Sequence, residues 1–479
     1  MSSTLTAEEK ERGAQLKRAT YASSVGSALE YYDFALYGLA SALIFGKLFF
    51  PNDDPATGLI KSFAIYGVGF LARPVGGLIF GVLGDKIGRK FVLVVTIVLM
   101  GGSSTLIGVL PTYQQVGVLA PTLLLILRLL QGLGAGAEQA GSTVLMAEVA
   151  PVKRRGFFAA LPFIGIQGGT LLASAVFAYM GTLPEEILLG WVWRIPFLCS
   201  ILLILVAVFI RVKLNETPTF QELANQKEVA RQPLSELFKN SGSLVFKGIG
   251  LRMAENGGSY LFQSVAVAFV TTAPLTQDKT TGSLAVALGS LIGIFSVPFT
   301  GSLSDKFGRR TMYRTGAIFI TLFSFPAWYM LSLDNKWLTI LTIAVGIGIC
   351  VNTMLGPQCA MLPELFGNRS RYLGVAMSRE ISAVLAGGIA GIIGASLIKA
   401  FDGSWVPLAI YMFILSLITL ISTFLVPETA GRDLLMIEDA RTESIPVITD
   451  SHGFQITNTG STAVIFDGET RRVIKTEEK

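Results

Sequence analysis

The chain has 479 residues, of which 51% are hydrophobic and only 15% charged, with 51 glycines, three cysteines, one histidine and a formal charge of +5. A soluble domain carries roughly 25% charged residues, so this chain lacks the side chains to cover a water-facing surface. With His452 in a polar tail and Cys199, Cys350 and Cys359 all inside apolar runs, a Ser-His-Asp or Cys-His catalytic site and a cysteine-spaced metal site are excluded.

Residues 1–19 are polar and mixed in charge; lacking an apolar core, they read as a cytoplasmic segment and not a secretory signal. A bilayer crossing needs about 20 apolar residues. Such runs, spans one to twelve, lie at 20–46, 58–83, 91–110, 121–150, 157–181, 191–212, 247–276, 283–303, 311–333, 337–364, 372–400 and 405–426. Spans one to six make an N-terminal half, 20–212, and spans seven to twelve a C-terminal half, 247–426. Between them lies a polar linker, 213–246, and after them a tail, 427–479. The expected fold is an all-α integral membrane protein of twelve transmembrane helices. The loops at 84–90, 151–156, 304–314 and 365–371 carry twelve Lys and Arg residues. The opposite side has five: Lys47, Lys61, Lys279, Lys336 and Lys399. This bias places the first set, both termini and the linker in the cytoplasm of a multi-pass cell-membrane protein. Because the positive charge sits in these loops, it does not point to nucleic acid.

The two halves repeat each other. GVLGDKIGRK at 81–90 returns as GSLSDKFGRR at 301–310, and MAEVAPVKRRG at 146–156 matches MLPELFGNRSRYLG at 361–374. The second match aligns Glu148 with Glu364 and Arg155 with Arg371. Parallel six-helix halves are one solution for carriers that rock about a central site, and a channel has no need of them. Asp85 with Arg89, and Asp305 with Arg309, read as gating latches that hold one of two helix packings, and Glu148, Arg155, Glu364 and Arg371 join them as gating-loop candidates. A plain topology signal is the alternative.

Nine ionisable side chains lie within the spans: Glu30, Asp33, Arg73, Arg128, Glu138, Arg252, Glu255, Arg379 and Glu380. Each costs roughly 2.5–3.5 kcal/mol at a helix centre, about 25 kcal/mol together if unpaired. That exceeds the whole stability of a typical domain, so these groups pair or line a cavity. At about 1.5 Å per residue, Glu30, Asp33 and Arg73 lie near the midplane. Glu30, Asp33 and Tyr37 share a helix face. Arg252 and Glu255 repeat the Glu30–Asp33 spacing in the second half. For Arg73, helix packing competes with a substrate role, and it does so for the adjacent Arg379 and Glu380 as well. Arg194 reads as an interfacial anchor. GLGAGA at 132–137 has the glycines of a dinucleotide site but no βαβ unit. There, and at Gly165 and Gly169, small residues instead let helices approach.

With these loops, the segments EYYDFALYG (30–38), FLARPVGG (70–77), RLLQGLGAGAE (128–138), WVWRIPF (191–197) and LRMAENGGSYL (251–261) resemble the major facilitator superfamily. Within it they resemble the metabolite:proton symporter family, nearest to the shikimate type. The sequence departs from that family's pattern at Gly136-Ala137-Glu138 and at Arg379-Glu380. The resemblance implies two pseudo-symmetric halves and alternating access, and supports Arg128 in function. The expected protein is not an enzyme. It is a monomeric carrier in the lipid bilayer for protons and a small hydrophilic molecule, most simply an organic acid. It needs no cofactor and no metal, its energy coming from the proton gradient. Asp33, Glu30 and Glu138 are the proton-coupling candidates. Arg128, Arg252, Arg379, Arg73, Tyr37 and Glu255 are the substrate-binding candidates. The alternatives are a carrier of zwitterionic osmolytes such as proline or betaine, and, from a different class, a channel or a transport-like receptor. In the tail, TAVIFDGETRRVI carries a hairpin signal about Asp467-Gly468, marginal on its own in water.

Overall fold

No water reaches the bilayer interior, so every backbone N–H and C=O there must be satisfied within the protein, and a helix does this within one segment. The apolar runs fold accordingly. The computed structural model describes residues 7–87, 89–136, 138–213, 234–272, 274–275, 277–368, 370–434, 436, 438–440, 448–449, 455–458, 462–467 and 470–475. Span one is the helix Ala7–Leu43, span two Pro55–Ile87 and span three Arg89–Ile107. Span four is Leu119–Ala135 followed by Glu138–Val149, span five Arg155–Ala160 followed by Pro162–Met180, and span six Ile195–Lys213. Span seven runs Leu234–Tyr260, passes through a π-helical turn at Leu261–Val265 and ends as Ala266–Thr271. Spans eight and nine are Lys279–Phe307 and Arg309–Ser332, and span twelve is Val406–Leu425. Spans ten (336–365) and eleven (371–400) each contain a π-helical turn, at Gly346–Val351 and Ala383–Gly388.

Among the described residues, spans two, five and eight to twelve are long and apolar enough to cross a membrane on length and composition alone. Spans three, four and six contain shorter apolar helices. Spans one and seven, which carry the charged pairs, are not in either group. The largest differences from the sequence reading are at two helix starts. The helix of span one begins at Ala7, and that of span seven at Leu234, within the segment read as linker. In span four one helix ends at Ala135 and a second begins at Glu138. Residues 214–233 of the linker lie outside the described residues.

Small residues set the packing within each half. A Cβ on Gly132 would overlap the Gly69 carbonyl oxygen, and one on Gly136 would overlap that of Arg73, so spans two and four touch backbone to backbone. Gly165 and Gly169 meet the carbonyls of Ser24 and Ala28 in the same way, joining spans one and five. Across the halves, Gly156 faces Gly301. Large apolar side chains such as Leu202, Leu205, Phe295 and Leu322 point outward, which suits a surface bathed in lipid.

The helical unit continues past span twelve to Asp439. Residues 440–479 form a separate unit containing a four-stranded antiparallel meander: Ile448–Thr449, Gln455–Asn458, Thr462–Asp467 and Thr470–Lys475. The hairpin read from the sequence pairs Asp467 with Thr470 and Val464 with Val473. It has two further strands beside it, beginning with Ile456 opposite Ile465. Three or more strands are the usual minimum for a sheet that holds without a partner, so the hairpin is not the isolated element expected.

Candidate functional site

Span one places its two acids against different neighbours. Asp33 turns to spans three and six, where Ser200 donates to it at 2.8 Å and Ser104 also hydrogen-bonds it. Glu30 turns to span two, where Arg73 Nη1 lies 3.2 Å from its Oε1. A helical spacing of three puts both groups on one side of the helix, and the flanking spans then divide them.

Arg128 is fully buried in a box of aromatic rings. Its guanidinium carbon lies 4.4 Å from the Tyr37 ring, 4.6 Å from Phe34 and 4.7 Å from Tyr66, with Phe70 at 5.9 Å. A cation over ring faces is attracted by their negative quadrupole, more strongly when water is excluded. Its Nε donates to the Tyr66 carbonyl at 3.3 Å and its Nη1 to Gln131 Oε1. Gln131 Nε2 in turn donates to Ser104 at 2.6 Å. A hydrogen-bonded chain therefore runs Arg128–Gln131–Ser104–Asp33. Arg128 Nη2 is without a hydrogen-bond partner among the described residues.

In the second half, Arg252 and Glu255 pair with each other at 3.1 Å. Glu255 also accepts from Gln358 at 3.0 Å, and Gln358 donates to the Tyr313 hydroxyl at 3.1 Å. Arg252 Nη1 reaches the Arg379 carbonyl at 3.2 Å. The Arg379 guanidinium faces the Phe163 ring of the other half, 5.5 Å from its centroid. Further contacts cross the middle of the molecule. Arg73 Nε donates to Glu380 Oε2 at 2.8 Å, and Gln167 donates to Asn352 at 3.0 Å. Arg73, a substrate candidate from the sequence, thus has its guanidinium shared by two carboxylates.

At the basic-loop end the aligned pairs bond crosswise. Arg155 meets Glu364 and Arg371 meets Glu148, each at 2.9 Å and each across the halves. Asp305 accepts from the backbone N–H groups of Gly156 and Phe157 at 2.8 and 3.0 Å, and from Arg309 at 2.7 Å. Arg309 also reaches Glu364 at 3.2 Å. The segment after span twelve ties this cluster down: Glu428 accepts from the Arg309 backbone N–H, Thr429 donates to Glu364, and Arg432 donates to the Glu364 and Leu365 carbonyls. The side chains of Asp85, Arg89 and Glu138 lie outside the described residues.

The opposite end is closed by exposed pairs. Glu185 is held by Lys47 of its own half and Lys279 of the other at 3.6 Å, and Lys47 beside it keeps its carboxyl below the usual range. Lys399 bridges to Asp54 at 3.2 Å. Hydrogen bonds from Thr57, reinforced by Lys399, hold Asp54 down at a pKa of about 2. Arg194 ties the start of span six to the Gly108 and Leu110 carbonyls. Both ends and the centre are therefore bridged between the halves, an occluded arrangement.

The sequence reading did not single out Gln131, Ser104, Ser200, Tyr66, Gln167, Gln358 or Asn352. The signal was present for Gln131 and Tyr66. A lone amide three residues after a buried arginine, and a tyrosine seven before Arg73, lie on the faces those arginines occupy.

The family described as "Sugar (and other) transporter" matches residues 19–245, and the "Major Facilitator Superfamily" matches 256–451. The chain is 33% identical to the shikimate transporter of Escherichia coli (strain K12), over 90% of this chain and 99% of that one. It is also 33% identical to the proline/betaine transporter of the same strain, over 88% and 85%. Among solved structures, the proton:xylose symporter XylE superposes with a TM-score of 0.69 at 18% identity, covering 89% of this chain and 99% of that one.

Proposed function

The chain belongs to the major facilitator superfamily, a family of membrane transporters and not enzymes, and from that premise we propose that it takes up a small hydrophilic carboxylate together with protons by alternating access. The basic-loop end and both termini face the cytoplasm, on the strength of the twelve-to-five Lys and Arg bias. The observation that carries the coupling is the chain Arg128–Gln131–Ser104–Asp33. A proton on Asp33 removes a buried charge and turns its carboxyl from acceptor to donor. The hydroxyl of Ser104 then reorients and changes what Gln131 offers to Arg128. The anchor freed or held by that change is a guanidinium, which grips a carboxylate with two parallel hydrogen bonds.

Identity alone does not choose between acid and zwitterion, since both relatives stand at 33%. The aromatic box favours the acid. A quaternary ammonium would need those ring faces, and Arg128 already fills them. Uptake of labelled organic acids and of proline and betaine into vesicles holding the chain tests this reading. Saturable, pH-driven uptake of acids with counterflow is expected. Uptake of betaine but of no acid would replace the proposal with the osmolyte reading, and flux without saturation or counterflow would point to a channel.

A further inference from the structure

We propose that spans nine and twelve form a site for one anionic phospholipid at the basic-loop end, its phosphate held by Arg310 and Arg314 and an acyl chain lying along the seam between the two helices. The buried arginines of this end each answer to a carboxylate: Arg155 and Arg309 to Glu364, and Arg371 to Glu148. Arg310 and Arg314 do not. Arg310 Nη1 donates to the Val426 carbonyl at 3.4 Å. Arg314 gives its Nε to the Thr423 hydroxyl at 3.3 Å and its Nη2 to the Thr423 carbonyl at 3.2 Å. Among the described residues neither side chain forms an ion pair, and Nη1 of Arg314 with Nε and Nη2 of Arg310 make no hydrogen bond. The surrounding charges do not make up the difference. Asp305 belongs to Arg309. Glu428, which faces Arg314 along with Arg310, spends its oxygens on the backbone N–H groups of Arg309, Arg310, Thr429 and Ala430. Lys306, four residues before Arg310, is exposed and adds positive charge.

A spacing of four puts the two arginines on one helix face, about 6 Å apart along the axis, where like charges repel. A phosphate between them removes that repulsion and takes short, charge-assisted bonds from each guanidinium. Arg314 is held in place for this, its guanidinium carbon 4.0 Å from the Phe424 ring centroid. Beyond the arginines the same face turns apolar. Ile318, Leu322 and Phe325 follow Arg314 at helical spacing on span nine, with Phe424, Ile421 and Ile418 on span twelve, and all six are exposed. From Arg314 to Phe325 the helix rises about 16 Å, roughly half of the 30 Å hydrocarbon core and so the depth of one leaflet. A free phosphate would use the arginines alone. A phospholipid uses both the arginines and the seam, which is why the lipid is the occupant. The inference goes beyond the carrier reading and needs neither its substrate nor its proton coupling.

The test uses the full chain in nanodiscs of phosphatidylcholine with an increasing share of phosphatidylglycerol. Native mass spectrometry counts the phosphatidylglycerol retained, and a phosphatidylglycerol with a photoreactive acyl chain marks where that chain lies. The wild type is expected to retain one phosphatidylglycerol, preferred over phosphatidylcholine by about tenfold, and to crosslink along the seam of spans nine and twelve. Arg310→Gln with Arg314→Gln should lose the preference. Arg310→Gln alone, which gives up one 3.4 Å bond within the protein, should weaken it severalfold and keeps the test open where the double variant fails to fold. Lys153→Gln with Arg154→Gln removes the same charge from exposed positions of the other half and should leave the preference unchanged. Inorganic phosphate in excess should not displace the lipid. Equal retention of the two lipids by the wild type, or wild-type preference in an arginine variant, would overturn the proposal. So would an equal loss in the Lys153 and Arg154 variant, crosslinks away from the seam, or displacement by inorganic phosphate.

Discussion

Replacing Glu364 by Gln tests the crosswise latch at the basic-loop end. Glu364 is fully buried and takes Arg155 at 2.9 Å, Arg309 at 3.2 Å and the Thr429 hydroxyl at 3.0 Å. Glutamine keeps the shape and removes the charge. Arg309 still has Asp305 at 2.7 Å, whereas Arg155 is left with the Ala147 and Arg432 carbonyl oxygens. Breaking a buried pair costs about 3–5 kcal/mol when a charge is left uncompensated. The two carbonyl bonds that Arg155 keeps put this case near the lower end, about 3 kcal/mol. At roughly 1.4 kcal/mol per tenfold, the ratio of closed to open states at this end should fall about a hundredfold. Spin labels on Lys153 and Lys306 read that ratio directly. A longer distance should dominate in Glu364→Gln. A distribution within about twofold of wild type would show that the latch does not hold the halves together.

Asp33→Asn fixes the protonated form and should exchange substrate across vesicles without accumulating it; normal accumulation under a proton gradient would pass the role to Glu30 or Glu138. Lysine at Arg128, Arg252 or Arg379 keeps the charge but loses the two-pronged grip, so at the true anchor substrate affinity should drop by at least about tenfold. Normal binding by all three variants would end the anion reading. The Asp54 carboxyl has its pKa lowered to about 2, so its link to Lys399 is present above the ordinary carboxyl value and lost only as pH falls through about 2. Crosslinking of a cysteine pair placed at that end should therefore be unchanged between pH 5 and 8. Deleting 440–479 should leave uptake intact, and deleting 427–479, which removes Glu428, Thr429 and Arg432 from the latch, should abolish it at equal membrane abundance.

The spans, the duplicated halves and the buried charges were legible because each has a one-dimensional signature: apolar length, an offset repeat, an ionisable residue in an apolar run. Partner choice was not. Glu148 and Glu364 align in the two halves, as do Arg155 and Arg371, yet each acid bonds the arginine of the opposite half. Alignment records likeness between halves and is silent on how they face. The same holds for Arg73 and Glu380, which are 307 residues apart. The π-helical turns in spans seven, ten and eleven left no mark either, since one extra residue in a turn does not alter an apolar run. The hold of Thr429 and Arg432 on Glu364 left no mark in the sequence, since it depends on the segment after span twelve returning to the end of span ten.

The central claim is that proton and carboxylate cross together, and proton movement driven by substrate alone tests it most directly. The purified chain is placed in vesicles with a trapped pH indicator and no imposed gradient, and an organic acid that supports uptake is added outside. The account predicts acidification inside in step with substrate entry, abolished in Asp33→Asn while labelled exchange continues. Substrate entry with no change in internal pH would contradict it.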